Sequence, residues 1–303
     1  MIKQLRLHRR GLTLIELVVV LVILSALTGI AVQSLEPLAD QARHESTQRT
    51  LEEIDNAFLI RTLTTGNNIG YSGYVADMGQ LPVQDAMADP EDQLAALYAI
   101  GTQPAFDIDD FDDTDFDPVV EVPVAAGWRG PYISLPNAQN GLLDGYGRTF
   151  ALTVDAGTLE VRNLTSLGAN GTASNVDTGY NVDQSFPGGA WVETRYEGAF
   201  NVVVQDSEGL NPDLTTGETI RARVYGPTAG AASLLQEQAT AEAAVDGRVA
   251  FSELFNDISC GPRAVVAYIT TGTVGDYAVV EQTAPQQIMV VPGLGPTITL
   301  VLR

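Results

Sequence analysis

Residues 12–32 read LTLIELVVVLVILSALTGIAV, and Glu16 is their only charged residue. A helix rises about 1.5 Å per residue, so a segment of this length matches the roughly 30 Å hydrocarbon thickness of a bilayer. Lys3, Arg6, Arg9 and Arg10 precede it, which places that end on the cytoplasmic side by the positive-inside rule. The segment reads as a membrane span at some stage of the protein's life.

Three readings of it compete. A secretory signal peptide would have a shorter apolar region and a small-residue cleavage site, and no clear A-x-A site follows here. A plain anchor explains the run but not the glutamate, because a charge inside the membrane is costly and usually marks function. The third reading is a short basic leader ending in glycine, then a hydrophobic residue, then a glutamate four positions on. That pattern, R-G-L-T-L-I-E-L over Arg10–Leu17, resembles the class III leader junction of type IV pilins and type II secretion pseudopilins. The resemblance implies cleavage between Gly11 and Leu12 by a prepilin peptidase and N-methylation of Leu12. It implies that Glu16 pairs with the amino terminus of a neighbouring subunit in a helical homo-oligomeric filament. A carboxylate among apolar helices needs a positive partner, and a free α-amino group supplies one. An inner-membrane assembly platform is a further implied partner. The implied location is the inner membrane before assembly, then a periplasmic or extracellular filament.

Composition removes many alternatives. The 303 residues are 45% hydrophobic and 18% charged, enough to bury a core in about two domains. A net charge of −22 would repel phosphates, so no nucleic-acid partner is expected. After Gly11 no lysine occurs, which excludes a lysine Schiff base, a P-loop lysine and a lysine general base. Cys260 is the single cysteine, so neither an internal disulfide nor a multi-cysteine zinc site can form. The two histidines are His8 and His44. With no G-x-S-x-G or H-E-x-x-H motif either, an enzyme is not expected.

Leu35, Leu38, Ala42, Leu51, Ile54, Ala57, Phe58 and Leu63 recur at helical spacing, so the apolar helix should continue as an amphipathic one across 12–66. Pro37 predicts a kink or local melting near Ser34–Pro37. Gly66 and Asn67 predict the helix end near Thr64–Gly66. A globular region at 67–190 should follow, with a short helix over Glu91–Ile100 and a hairpin of Thr149–Val154 and Thr158–Arg162. Within it, Gly127-Trp-Arg-Gly-Pro-Tyr132 and Asp144-Gly-Tyr-Gly-Arg148 resemble the W-x-G-P-Y and D-x-W-G-x-P-[YF] pair of major pseudopilins. Tyr146 stands in place of tryptophan and Thr149 in place of proline. Tyr132 and Tyr146 are read as core aromatics.

Ser166-Leu-Gly-Ala-Asn-Gly171, with Asp177 and Asp183, resembles that family's calcium loop. The resemblance implies Leu167 carbonyl, Asn170 and Asp177 as ligands, with Asp183 as substitute. Calcium takes six to eight oxygens, and Asn170 stands where the family has aspartate, which lowers the expected affinity. The alternative is a polar loop held by hydrogen bonds. Seven aspartates fall within Asp107–Asp117. They could attract divalent cations, but lack the glycine and glutamate of an EF-hand, so a solvated, self-repelling insertion is the simpler expectation. Phe106, Phe111 and Phe116 could tack it to the surface.

From 199 to 303 the pattern changes to short strands: Phe200–Gln205, Glu218–Tyr225, Gly247–Leu254, Ala264–Thr270, Tyr277–Glu281, Gln286–Val291 and Thr297–Leu302. These suggest a β-sandwich of Ig-like or transthyretin-like type. Ala231–Ala244 is read as a short helix or inserted loop, and 187–198 as a linker. The expected fold class is therefore α+β: a long N-terminal helix packed on a small antiparallel sheet, then an all-β sandwich. The expected function is a structural subunit of a type IV pilus-like or type II secretion pseudopilus-like filament. The alternative is a minor pilin or adhesin whose C-terminal sandwich binds a ligand or surface.

Overall fold

The computed structural model describes residues 14–58, 60–63, 69–84, 94–135, 141–174, 176, 178–185, 195–196, 201–240, 249–251, 258–291 and 297–302. Helix α1 (Leu14–Phe58) runs uninterrupted through Pro37. The melting expected at Ser34–Pro37 is not seen, since proline removes one helical hydrogen bond and the turns on either side persist. The helix also ends earlier than expected. Beyond Phe58 the β-branched stretch Ile60–Leu63 forms β1, paired antiparallel with β2 (Ile69–Ser72). The five-residue helix α2 (Tyr74–Met78) follows and is buried throughout. The helix expected over Glu91–Ile100 is a 3-10 turn at Ala95–Leu97, with 91–93 outside the described residues.

The second half of α1 carries one apolar stripe. Leu51, Ile54, Ala57 and Phe58 are buried at helical spacing. They share a core with Tyr74, Met78, Leu97, Ile133, Phe150, Val161 and Leu164. Strands β5 (Ala151–Val154), β6 (Val161–Ser166) and β7 (Gln184–Ser185) form the small antiparallel sheet over that core. The expected hairpin is present as β5–β6.

The acidic stretch is solvated at Asp107, Asp110, Asp112 and Asp117, as expected, but it is an ordered strand and buries Asp113. Asp107–Asp113 is strand β3, paired antiparallel with β4 (Val120–Ala126). Alternation explains how the chain accepts so many carboxylates. Asp110 and Asp112 point to solvent, while Phe111 and Asp113 point inward.

The remaining chain is mostly β. It comprises β8 (Arg195–Tyr196), β9 (Asn201–Gln205), β10 (Thr219–Thr228), β11 (Ala231–Thr240), β12 (Val249–Phe251) and β13 (Ile258–Ser259). Then come β14 (Gly261–Thr273), β15 (Asp276–Gln282), β16 (Gln286–Val290) and β17 (Thr297–Val301). One sheet has the order β11-β10-β14-β15, with β16 also on β14; another has the order β12-β9-β17. β17 runs parallel to β9. The expected helix or loop at Ala231–Ala244 is strand β11 as far as Thr240, with 241–244 outside the described residues. Ala229 and Gly230 both take positive φ, as a two-residue type I′ hairpin turn requires. The turn, and pairing with β10, overrides the helix preference of the alanines and glutamines.

The two C-terminal sheets face each other across Val202, Val204, Ile298 and Leu300 on one side and Ile220, Ala222, Val224 and Val265 on the other. The opposite face of the larger sheet is covered by the β3–β4 hairpin, through Phe116, Val122 and Val124 against Tyr225, Val266, Tyr268 and Tyr277. Strand β14 is buried on both faces, so Ala264-Val-Val-Ala-Tyr-Ile269 reads as a continuous apolar run instead of an alternating one.

Candidate functional site

The first half of α1 has no apolar partner within the described residues. Its large side chains from Leu14 (83% exposed) to Leu27 (57%) stand open. An apolar surface of this extent marks a membrane or subunit contact. The two hydroxyls in it are turned inward on the helix itself: Ser25 Oγ donates to Val22 carbonyl at 2.9 Å and Thr28 Oγ1 to Leu24 carbonyl at 2.7 Å. Neither presents an unmet donor to apolar surroundings. Glu16 sits in the first turn, where the helix dipole favours a negative charge. Gly11 and Leu12 lie outside the described residues. Among the described residues no helix is long and apolar enough to cross a membrane. The apolar side chains described there stop at Gly29, short of the roughly 20 residues a span needs.

Lower on α1, the two aromatic-glycine motifs build a docking surface. Trp128 Nε1 donates to Ala96 carbonyl at 2.7 Å, and Tyr132 OH donates to Asp77 Oδ2 at 3.0 Å. Tyr132 is thus half-buried beside Trp128 and Tyr74, in edge-on contacts. Asp144 is buried and closes its own turn. Its Oδ1 accepts from Tyr146 N and Arg148 N, both at 2.9 Å, and its Oδ2 from Ser166 Oγ at 2.6 Å. The turn seats on α1, where Gly145 N donates to Thr47 Oγ1 at 2.9 Å. A Cβ at Gly145 would lie 1.9 Å from Arg43 carbonyl, so only glycine permits the approach. Tyr146 is half-buried, with its hydroxyl on Tyr180 carbonyl at 3.3 Å.

The loop expected to hold calcium lies beside this turn. Leu167 carbonyl accepts from Gly171 N at 3.1 Å, and Asn170 Oδ1 from Thr172 N at 3.0 Å. Asp183 Oδ2 accepts from Ser174 N at 3.1 Å, while Asp183 Oδ1 is buried without a hydrogen-bond partner. Asp177 lies outside the described residues. Gly168 and Ala169 carbonyls accept from the Arg148 guanidinium at 2.6 and 3.0 Å. Among the described residues no three His, Cys, Asp or Glu side chains gather as a metal cage. Of the expected donors, the Leu167 carbonyl and Asn170 Oδ1 are thus engaged by backbone amides, and the Arg148 guanidinium lies against the loop.

Three arginine clusters escaped the reading of the sequence. Arg223 on β10 is 1% exposed. It bonds Asp113 at 2.5 Å and Asp115 at 2.9 Å, and pairs with Glu237. Tyr225 OH donates to Asp113 Oδ2 at 2.7 Å, and Phe116 stacks under the guanidinium at 4.6 Å. Burial opposes the Arg223 charge, but the hydrogen bond and field of Asp113, aided by Glu237, hold its pKa above the ordinary value. Arg263 on β14 is buried too and donates to the carbonyls of Ala76, Pro262 and Cys260 and to Ser259 Oγ. Burial lowers its pKa to about 10, against the fields of Cys260 and Asp77. Arg129, over the Phe106 ring at 3.9 Å, pairs with buried Asp77 at 3.2 Å. The available signal was the placement of Arg221 and Arg223 inside, and of Arg263 beside, segments expected to be strands of a packed sandwich.

The family model for the prokaryotic N-terminal methylation motif matches residues 6–32. No curated protein and no solved structure matches the chain.

Proposed function

We propose that this chain is the structural subunit of a type IV pilus-like or type II secretion pseudopilus-like filament. In this reading it is processed between Gly11 and Leu12, methylated at Leu12 and held in the inner membrane until it polymerises. The N-terminal half of α1 becomes the filament core and the globular part faces outward. One observation carries the reading: a methylation motif at 6–32 overlaps a helix whose apolar side chains from Leu14 to Leu27 are covered by nothing among the described residues. Such a surface requires lipid first and neighbouring helices later. Glu16, alone in that run, supplies the charge that a neighbour's terminal amine would neutralise. The globular part supports an outward display, since among the described residues its three cores leave no comparable apolar face to bury.

Glu16→Ala should leave processing and membrane insertion intact and strongly reduce filaments recovered by shearing. Normal filament recovery from that variant would remove Glu16 from assembly. The abundance of the wild-type chain in the sheared fraction separates a major subunit, which should be the dominant band, from a minor displayed one.

A further inference from the structure

Arg148 meets the 166–184 loop as a fork. Its two terminal nitrogens reach two successive carbonyls, Gly168 at 2.6 Å and Ala169 at 3.0 Å. Its backbone is fixed as well, because Arg148 N donates to buried Asp144, which also holds Ser166 Oγ at the loop's start. The side chain and main chain of one residue thus close a ring between the turn on α1 and the loop. A guanidinium held this way loses little freedom per bond formed.

The loop is shaped to admit it. A Cβ at Gly171 would stand 2.7 Å from Arg148 Nη1 and 2.8 Å from Cζ, and Gly171 itself takes φ +67°. A Cβ at Gly168 would meet Asn181 carbonyl at 2.6 Å, and Ala169 N donates to Tyr180 carbonyl at 2.8 Å. Two glycines therefore let the loop fold flat against the guanidinium on one side and the 3-10 turn at Gly179–Asn181 on the other. A divalent ion at these carbonyls would face that fixed positive charge across a few ångströms, where repulsion is strong.

We propose that Arg148 is the resident cation of this loop, so that the loop stays ordered on α1 without a divalent metal. The inference concerns the folded subunit and does not rest on the filament reading. The test uses the full chain in detergent, with thermal unfolding in chelator and in millimolar calcium and with amide exchange across 167–184. Wild type should unfold at the same temperature in both buffers. Arg148→Gln should lower Tm by a few degrees and speed exchange at the Ala169 and Gly171 amides about tenfold, the scale of a lost charge-assisted hydrogen bond. Arg148→Lys, a single point donor, should fall between them. A calcium-dependent rise in wild-type Tm that Asp183→Asn abolishes would overturn the proposal, as would unchanged exchange in Arg148→Gln. Should Arg148→Gln fail to fold, the wild-type comparison of chelator against calcium still decides.

Discussion

Arg223 and Arg148 each answer an oxygen-rich stretch of chain, one deep inside the protein and one at its surface. Asp107–Asp117 and Ser166–Asp183 are the two segments whose composition suggests divalent cations. The chain, which has no lysine after Gly11, meets both with a planar guanidinium. The settings differ in what is left behind if the arginine goes. Around Arg223 the partners are carboxylates, and Asp113 is itself buried. Around Arg148 the partners are neutral carbonyls, and the bond to Ala169 is exposed. The lesson is that the stake of a charge is set by the partner it would strand and far less by the number of bonds it makes.

The sharpest way to break this contrast is Arg223→Met. It strands Asp113 against Phe116, Tyr225 and Tyr268 in the layer between hairpin and sheet. The expected loss is about 3–5 kcal/mol in denaturant unfolding, the usual result of removing one partner of a buried pair. Asp112→Asn, on the outward face of the same strand, should stay within about 0.5 kcal/mol. Equal effects from the two would mean that burial does not set the stake. A smaller effect belongs to the surface clasp. Gly145→Ala drives a methyl group into Arg43 carbonyl and should cost about 1–3 kcal/mol by overpacking. Unchanged stability there would show that the Asp144–Arg148 turn does not sit on α1.

The parts of the fold legible in the sequence are those where periodicity and local chemistry agree. The apolar α1, the β5–β6 hairpin and most C-terminal strands fall where alternation and turn residues place them. Leu51, Ile54, Ala57 and Phe58 are buried as their spacing predicts, whereas Leu38, on the same expected stripe, is exposed. The misses share one physical cause, a partner distant in sequence. Asp113 and Arg223 are 110 residues apart, so no local pattern reveals that the acidic stretch is a strand with a cation waiting across it. Ala231–Thr240 looks helical by composition, and its pairing with β10 turns on the φ of Ala229 and Gly230. At the candidate site, the motif identified Asp144, Gly145 and Arg148 only as parts of a resemblance. Their bonds to Ser166, Thr47 and the Gly168–Ala169 carbonyls depend on the turn being folded against the helix. The Gly11–Leu12 junction and Asp177 lie outside the described residues.

Asp77 stands between the two clasps and gives the finest test. It is 4% exposed, and its ion-pair partner Arg129 is 51% exposed. Here burial outweighs pairing: it holds the carboxyl above the ordinary value of 3.8, against Arg129, the Tyr132 hydroxyl and Arg263. The folded protein therefore keeps this proton to higher pH than the unfolded chain. Asp77's contribution is whole below pH 3.8 and is lost as pH rises through the raised value, because the folded state binds more protons across that interval. Asp77→Asn retains an oxygen for Tyr132 and cannot titrate. Its unfolding free energy should fall less steeply with pH upward from 3.8 than that of the wild type, a difference readable in denaturant titrations at closely spaced pH. Parallel slopes would mean that Arg129, the Tyr132 hydroxyl and Arg263 together offset the burial of Asp77. A flatter slope in the variant would mean that a half-exposed arginine leaves the burial of Asp77 uncompensated, because solvent screens its charge before it reaches the carboxylate.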